Sequence, residues 1–192
     1  MKKAILMIMV LMFFSPAADA CVGKVLNIGV INSPDEQVLA EMLSTLITER
    51  TGTTVAVKLY ANTQDLYGAV KKEQVDILVE NTARAMRVLN KPAEKDAKKA
   101  YDVVKTAYEK EKGLVWLKPF GFLNGAGGDV PSHTSTVLRT GILANFPALP
   151  RVINKLGGIM NDEAYAKLVH SAKSGEKPKK VARDFLKSRK LI

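Results

Sequence analysis

The chain has 192 residues, which allows one or two domains, and it is 47% hydrophobic and 25% charged, as folded globular proteins are. Its single cysteine and two histidines exclude an internal disulfide bond and a zinc site built from cysteine and histidine alone. We therefore expect neither a metal site nor a cofactor. The net charge is +10, but the lysines are spread over helices beside acidic residues and the few aromatic residues form no stacking series. Nucleic acid is therefore not expected as a partner. An anionic membrane surface suits this charge better.

The first twenty residues have the three parts of an export signal. Lys2 and Lys3 precede an apolar run, Ala4–Phe14, and Ala18-Asp19-Ala20 forms a cleavage site. The run is shorter than the ~20 apolar residues that a spanning helix needs. We therefore predict a signal peptide over residues 1–20 and a periplasmic or extracytoplasmic location. Cys21 then becomes the first mature residue, and two alternatives remain: a lipid anchor on Cys21, or plain cleavage that leaves a free cysteine.

Strands and helices alternate in the first half of the mature chain. Residues 24–31, 53–60 and 75–79 are rich in β-branched residues and predict three strands. Ser33, Pro34 and Glu36 have the spacing of a capping box with proline at the first helical position, and an apolar helical stripe follows them. Asn62 and Thr63 are capping candidates for a shorter second helix. Such crossovers predict parallel strands covered by helices.

The second half is predicted to be mainly helical. Pro92 opens a long helix that Gly113 ends, and residues 114–117 predict a fourth strand. Residues 121–135 are glycine-rich and polar and predict a linker, because the Gly-Lys-Ser/Thr ending of a phosphate-binding loop is missing. We expect residues 21–192 to form one α/β domain. Its features are a three-layer αβα lobe, a mostly parallel sheet of four or five strands, and a helical C-terminal third.

Polar side chains follow each of the first three predicted strands. In an open α/β sheet, ligands bind beyond the carboxyl ends of the strands. Hydroxyl, amide and carboxylate groups would converge there, although such residues also serve as plain helix caps. The candidate ligand-binding residues are Asn32, Ser33, Glu36, Asn62, Thr63, Glu80, Asn81 and Thr82.

Several segments resemble the substrate-binding proteins of ABC importers for glycine betaine, choline and related quaternary amines. They are KVLNIGVINSPDEQVLAEMLSTLI, AVKKEQVDILVE, GLVWLKPFGF, LRTGILANFPALPRVINKLGG and KPKKVARDFLKSRKLI. The resemblance implies a periplasmic-binding-protein-like fold, which in this family has two lobes. Here residues 122–137 hold only the glycine-rich linker where members carry most of the second lobe. The resemblance therefore implies a single lobe, with Leu138 onward packing back on the first sheet.

The resemblance also implies a cage of aromatic rings around a quaternary ammonium group. This chain departs from it, because Glu80-Asn81-Thr82-Ala83 has no ring where members carry tyrosines. Tyr60, Tyr67 and Trp116 remain nearby in sequence, and Trp116 fits a core position better than a cage position.

The resulting expectation is a non-enzymatic, exported solute-binding component of an ABC-type import system for quaternary amines. A small zwitterionic or cationic solute would bind weakly, because an open half-site buries little of it, and an ABC permease would be the membrane partner. The alternative is an interaction module that docks on a permease or partner protein without carrying solute. Exposure of Phe120, Phe122 and Leu123 would favour such a partner or a homodimer.

Overall fold

The computed structural model describes residues 24–123 and 130–192. Five strands lie in this part of the chain: β1 (Leu26–Ile31), β2 (Val55–Tyr60), β3 (Ile77–Asn81), β4 (Leu114–Pro119) and β5 (Thr134–Arg139). The α-helices there are α1 (Pro34–Thr51), α2 (Thr63–Lys71), α3 (Thr82–Val88), α4 (Ala97–Lys112), α5 (Leu149–Ile153), α6 (Asp162–Lys173) and α7 (Pro178–Ser188). The predicted signal peptide, Cys21 and residues 124–129 of the predicted linker lie outside the described residues.

The five strands form one sheet in the order β2-β1-β3-β5-β4. Strand β1 pairs in parallel with both β2 and β3, whereas β5 runs antiparallel to β3 and β4. Four of the strands therefore point the same way, which confirms the predicted mostly parallel α/β sheet. The carboxyl ends of β1, β2 and β3 lie at the same edge.

Strand β5 was missed by the sequence prediction, which assigned Thr134 and Ser135 to the linker and the following residues to a helical region. The segment lies between β3 and β4 and is buried. The Ser135 hydroxyl donates to the Leu117 carbonyl at 2.5 Å. The Ser135 hydroxyl is therefore satisfied inside the sheet, although a polar run next to glycines is more typical of a loop.

Helices cover both faces of the sheet, which confirms the three-layer αβα architecture. On one face, α1, α5, α6 and α7 pack around Ile28, Val30, Val79 and Leu138. On the other face, α2, α3 and α4 pack around Leu78, Trp116 and Val137.

The C-terminal helices belong to the same folded unit as the first sheet. Arg183 of α7 forms an ion pair with Glu49 of α1, and the Arg50 Nε donates to the Leu191 carbonyl at 2.7 Å. Leu186 of α7 is fully buried in the core that α1 forms. Residues from Leu138 onward thus pack on the first sheet, as expected, and Leu138 itself lies in β5.

Candidate functional site

The strand-tip rim consists of the eight predicted ligand-binding residues at the carboxyl ends of β1, β2 and β3. Three of them begin helices, because their side-chain oxygens accept a hydrogen bond from a backbone N–H group two or three residues into the helix. The bonds run from Glu36 to Ser33 (3.4 Å), from Asp65 to Asn62 (2.9 Å) and from Arg84 to Asn81 (2.8 Å). The amide oxygen of Asn32 accepts from Gln37 at 2.8 Å. Much of the rim therefore serves to start and hold helices.

The carboxylate of Glu36 does not complete the predicted capping box. Its Oε2 accepts from the backbone N–H of Ile31 at 2.8 Å, and its Oε1 accepts from Arg84 Nη1 at 2.5 Å. Burial raises the pKa of Glu36, and Arg84 opposes that rise. The box is half formed because the carboxylate turns away from Ser33 toward a buried cation.

Arg84 is the residue that organises the rim, and sequence analysis did not single it out. All three guanidinium nitrogens donate: Nε to Glu80 Oε1 at 2.5 Å, Nη1 to Glu36, and Nη2 to the Val79 carbonyl at 2.7 Å. Burial alone would lower the pKa of Arg84, but the carboxylates of Glu80 and Glu36 outweigh burial and raise it. The Glu80–Arg84 spacing of four residues is the only sequence signal of this arrangement.

Two tyrosines complete the contacts of Glu80, which is fully buried. The Tyr67 hydroxyl donates to Glu80 Oε2 at 2.5 Å and lies 2.5 Å from the Tyr108 hydroxyl. Burial is the main cause of the raised pKa values of both tyrosines, and the Glu80 carboxylate adds to it. We call Glu36, Glu80, Arg84, Tyr67 and Tyr108 the Arg84 network. Since the Tyr67 hydroxyl bonds with Glu80, this tyrosine belongs to the network and is not a wall of an aromatic cage.

The Arg84 network leaves almost no room between Glu36, Glu80 and Asn81, whereas a separate cavity of about 160 Å³ opens beside Thr82. The cavity between Glu36 and Glu80 has a volume of about 10 Å³, which is near the lower limit for a single water molecule, roughly 10–15 Å³. Its lining residues are Asp35, Glu36, Leu39, Val79, Glu80, Asn81, Arg84, Thr134 and Tyr165. A quaternary amine does not fit between these side chains as they stand.

The structure brings together only part of the predicted site. Glu36 and Glu80 meet through Arg84, and the Asn81 N–H donates to Glu80 Oε1 at 2.8 Å. Asn62 and Thr63 follow the edge strand β2, and within the described residues neither exchanges a hydrogen bond with the Arg84 network. Thr82 is buried, and its N–H donates to the His133 carbonyl at 2.9 Å.

The aromatic residues near the rim are core residues. Phe120 and Phe122 are fully buried, and the ring of Phe122 stacks on Tyr165 with 3.7 Å between centroids. The exposed phenylalanine surface that would favour a partner or a homodimer is therefore not present, and only Leu123 of that group is partly exposed. Trp116 is buried as expected, with its ring edge-to-face on Tyr108 at 5.5 Å.

Residues 24–123 and 130–192 contain no group of three or more histidine, cysteine, aspartate or glutamate side chains arranged to hold a metal ion. In the same part of the chain, no helix is both long enough and apolar enough to cross a bilayer.

Comparison with known proteins places the lobe in a family. Residues 24–134 match the family model of the substrate-binding domain of the ABC-type glycine betaine transport system, and the chain belongs to this family. The members are substrate-binding proteins, which are not enzymes. They bind small solutes, work with a membrane permease, and are periplasmic or extracytoplasmic.

Solved structures show the same fold at low sequence identity. One is a crystal structure of a glycine betaine/carnitine/choline ABC transporter, with a TM-score of 0.79, 16% identity, and coverage of 88% of this chain and 98% of that chain. Apo YehZ from Escherichia coli has a TM-score of 0.76, 14% identity, and coverage of 88% and 100%. Lactococcal OpuAC in its closed form with glycine betaine has a TM-score of 0.51, 12% identity, and coverage of 88% and 97%. No curated protein sequence is significantly similar to the chain.

Proposed function

We propose that this chain is an exported, non-enzymatic component of an ABC-type import system for quaternary amines such as glycine betaine or choline. On this proposal, its strand-tip rim binds such a solute only weakly. Family membership supports the transport system. The observation that carries the proposal is the position of Arg84, whose guanidinium already fills the anionic space between Glu36 and Glu80.

Weak binding follows from the charges and the space at the rim. A quaternary ammonium group is attracted by carboxylates and by aromatic faces. Both carboxylates here already contact Arg84, and Tyr67 and Tyr108 are engaged with Glu80 and each other. A solute can then contact exposed polar groups such as Asn32 and Asn62, which bury little of its surface.

The second candidate is a docking module that carries no solute, and the small size of the cavity between Glu36 and Glu80, about 10 Å³, favours it. On this reading the rim contacts a permease or a partner protein through polar groups, since Phe120 and Phe122 are buried. The two candidates differ in whether a solute binds at all.

Calorimetric titration of the chain with glycine betaine, choline and proline betaine tests both candidates. We expect dissociation constants weaker than about 10 μM, which corresponds to roughly 7 kcal/mol of binding free energy. A tighter constant would show that the rim encloses its solute and that the proposal is wrong. If no heat of binding is seen up to tens of millimolar solute, the docking module is the better description.

A pair of asparagine variants locates any binding that is seen. Asn62→Ala removes a rim amide, whereas Asn145→Ala removes an exposed amide beside Lys24 and Thr54, at the opposite end of the strands. Solute binding at the rim weakens only in the Asn62 variant. Equal affinities in both variants and in the unaltered chain would place the solute elsewhere.

A further inference from the structure

The carboxyl ends of four helices lie at the end of the lobe opposite the strand-tip rim. Helices α1 and α2 return from the rim to begin β2 and β3, and α4 leads through Gly113 into β4, which runs in the same direction. Helix α7 runs alongside α1 in the same sense, since Lys179 lies near Glu41 and Arg183 meets Glu49. Leu191, beyond the end of α7, meets Arg50. All four helices therefore end at the same side of the molecule.

This side is rich in exposed basic residues, and we call it the basic end. Each of the four helices has a basic residue in its last turn, which suits the negative end of the helix dipole. Lys72 and Arg189 are the C-cap residues of α2 and α7, and Lys24 and Lys190 lie outside the helices. The basic end consists of Lys24, Arg50, Lys71, Lys72, Lys110, Lys112, Lys187, Arg189 and Lys190.

The acidic residues nearby do not neutralise the basic end. Within the described residues, none of its members forms an ion pair, whereas Glu49, Glu73 and Asp76 are paired with other arginines. The acidic groups that remain there are Glu109, Glu111 and the carboxyl terminus. The result is a face with a clear excess of positive charge.

Two further observations point to a lipid surface. A groove of about 710 Å³ opens beside the basic end. Apolar side chains of Val70, Val88 and Leu114 line it, and its charged lining residues are Lys71, Glu73, Glu111, Lys112 and Arg139. The chain also enters the lobe at this end, because Lys24 lies two residues before β1. Cys21, the candidate lipid-anchor residue, lies three residues earlier in the sequence.

We propose that the basic end binds the surface of an anionic phospholipid bilayer. Each lysine or arginine near such a surface adds attraction that decays within a Debye length. In this orientation the strand-tip rim faces away from that bilayer. This membrane-bound state is therefore separate from the one in which the rim meets a permease, and it requires no solute at the rim.

Co-sedimentation of the full chain with vesicles tests the proposal. The vesicles contain either phosphatidylcholine alone or phosphatidylcholine with phosphatidylglycerol. We expect binding that requires phosphatidylglycerol and falls steeply as salt rises. The basic-end variant replaces Lys71, Lys72, Lys112 and Lys187 with glutamine, and we expect its binding to fall at least about tenfold.

The matched control removes the same number of positive charges from another part of the surface. It replaces Lys91, Lys95, Lys98 and Lys118 with glutamine, all of them exposed and distant from the basic end, and circular dichroism checks that both variants fold. Binding of the control within about threefold of the unaltered chain supports the proposal. Equal losses in both variants would show a nonspecific effect of net charge and overturn it. Binding without phosphatidylglycerol, or no binding at all, would also overturn it.

Discussion

Replacing Arg84 with methionine is expected to destabilise the fold by about 3–5 kcal/mol, because it leaves buried carboxylates without their cation. Glu80 is fully buried and its Oε1 accepts from Arg84, while Glu36 is mostly buried and accepts from the same guanidinium. Methionine fills a volume similar to that of arginine. The loss of stability therefore comes from the missing charge more than from a cavity. Urea unfolding followed by circular dichroism measures it.

Two variants control this measurement. Arg87→Met removes an exposed arginine from the same helix that has no ion pair within the described residues, and its effect should stay within about 0.5 kcal/mol. The triple variant Glu36→Gln, Glu80→Gln, Arg84→Met removes the charges together and should regain much of the lost stability. If Arg84→Met costs no more than Arg87→Met, the Arg84 network does not hold the rim.

The loss in the Arg84→Met variant should depend on pH in a defined direction. Burial already raises the pKa of Glu36 in the folded chain, and removing Arg84 removes the main opposing effect. A carboxyl group whose pKa is higher in the folded state stabilises the fold below its unfolded pKa, and that contribution disappears as pH rises through the folded pKa. The difference from the unaltered chain should therefore be largest near neutral pH and shrink toward pH 4.

Phe122→Ala is the second variant with a large expected effect, again about 3–5 kcal/mol. Phe122 is fully buried and stacks on Tyr165 of α6, which lies on the same face of the sheet as α1. The substitution removes contacts between the segment after β4 and the C-terminal helices. Leu59→Ala, at a 48% exposed position on the edge strand, is the control and should change stability little.

The same variant tests whether the described residues unfold as one unit. Trp116 lies in the core on the face opposite to α6, so its fluorescence reports a different part of the lobe from Phe122. Both probes should give one coincident transition in the unaltered chain and in Phe122→Ala. A Trp116 signal that stays native while helical signal is lost would show that the C-terminal helices fold separately.

The sequence predicted the fold well where local signals agree with tertiary packing. The first three strands, the helix that Ser33 caps, and the parallel pairing of β1 with β2 and β3 all follow from hydrophobic periodicity and capping residues. Strand β5 could not be predicted in this way, because its serine and threonine residues suit a loop until β3 and β4 supply partners on both sides.

The candidate site was predicted in position but not in its interactions. The rim lies where the strand ends predict it, and Glu36 and Glu80 are both there. Their spacing along the chain gives no sign that one arginine joins them, because Glu36 and Arg84 are brought together only by the pairing of β1 with β3. The basic end could not be predicted from the sequence either, because its lysines lie on separate helices. Only the sheet topology shows that these helices run in the same direction.

The side-chain Nε–H signal of Arg84 in a ¹⁵N NMR spectrum tests the central claim most directly, with Arg84→Lys to assign it. A guanidinium held by Glu36, Glu80 and the Val79 carbonyl should give a sharp, slowly exchanging signal at neutral pH that millimolar glycine betaine or choline leaves unchanged. A signal that exchanges with water as fast as that of exposed Arg87, or that moves when either solute is added, would contradict it.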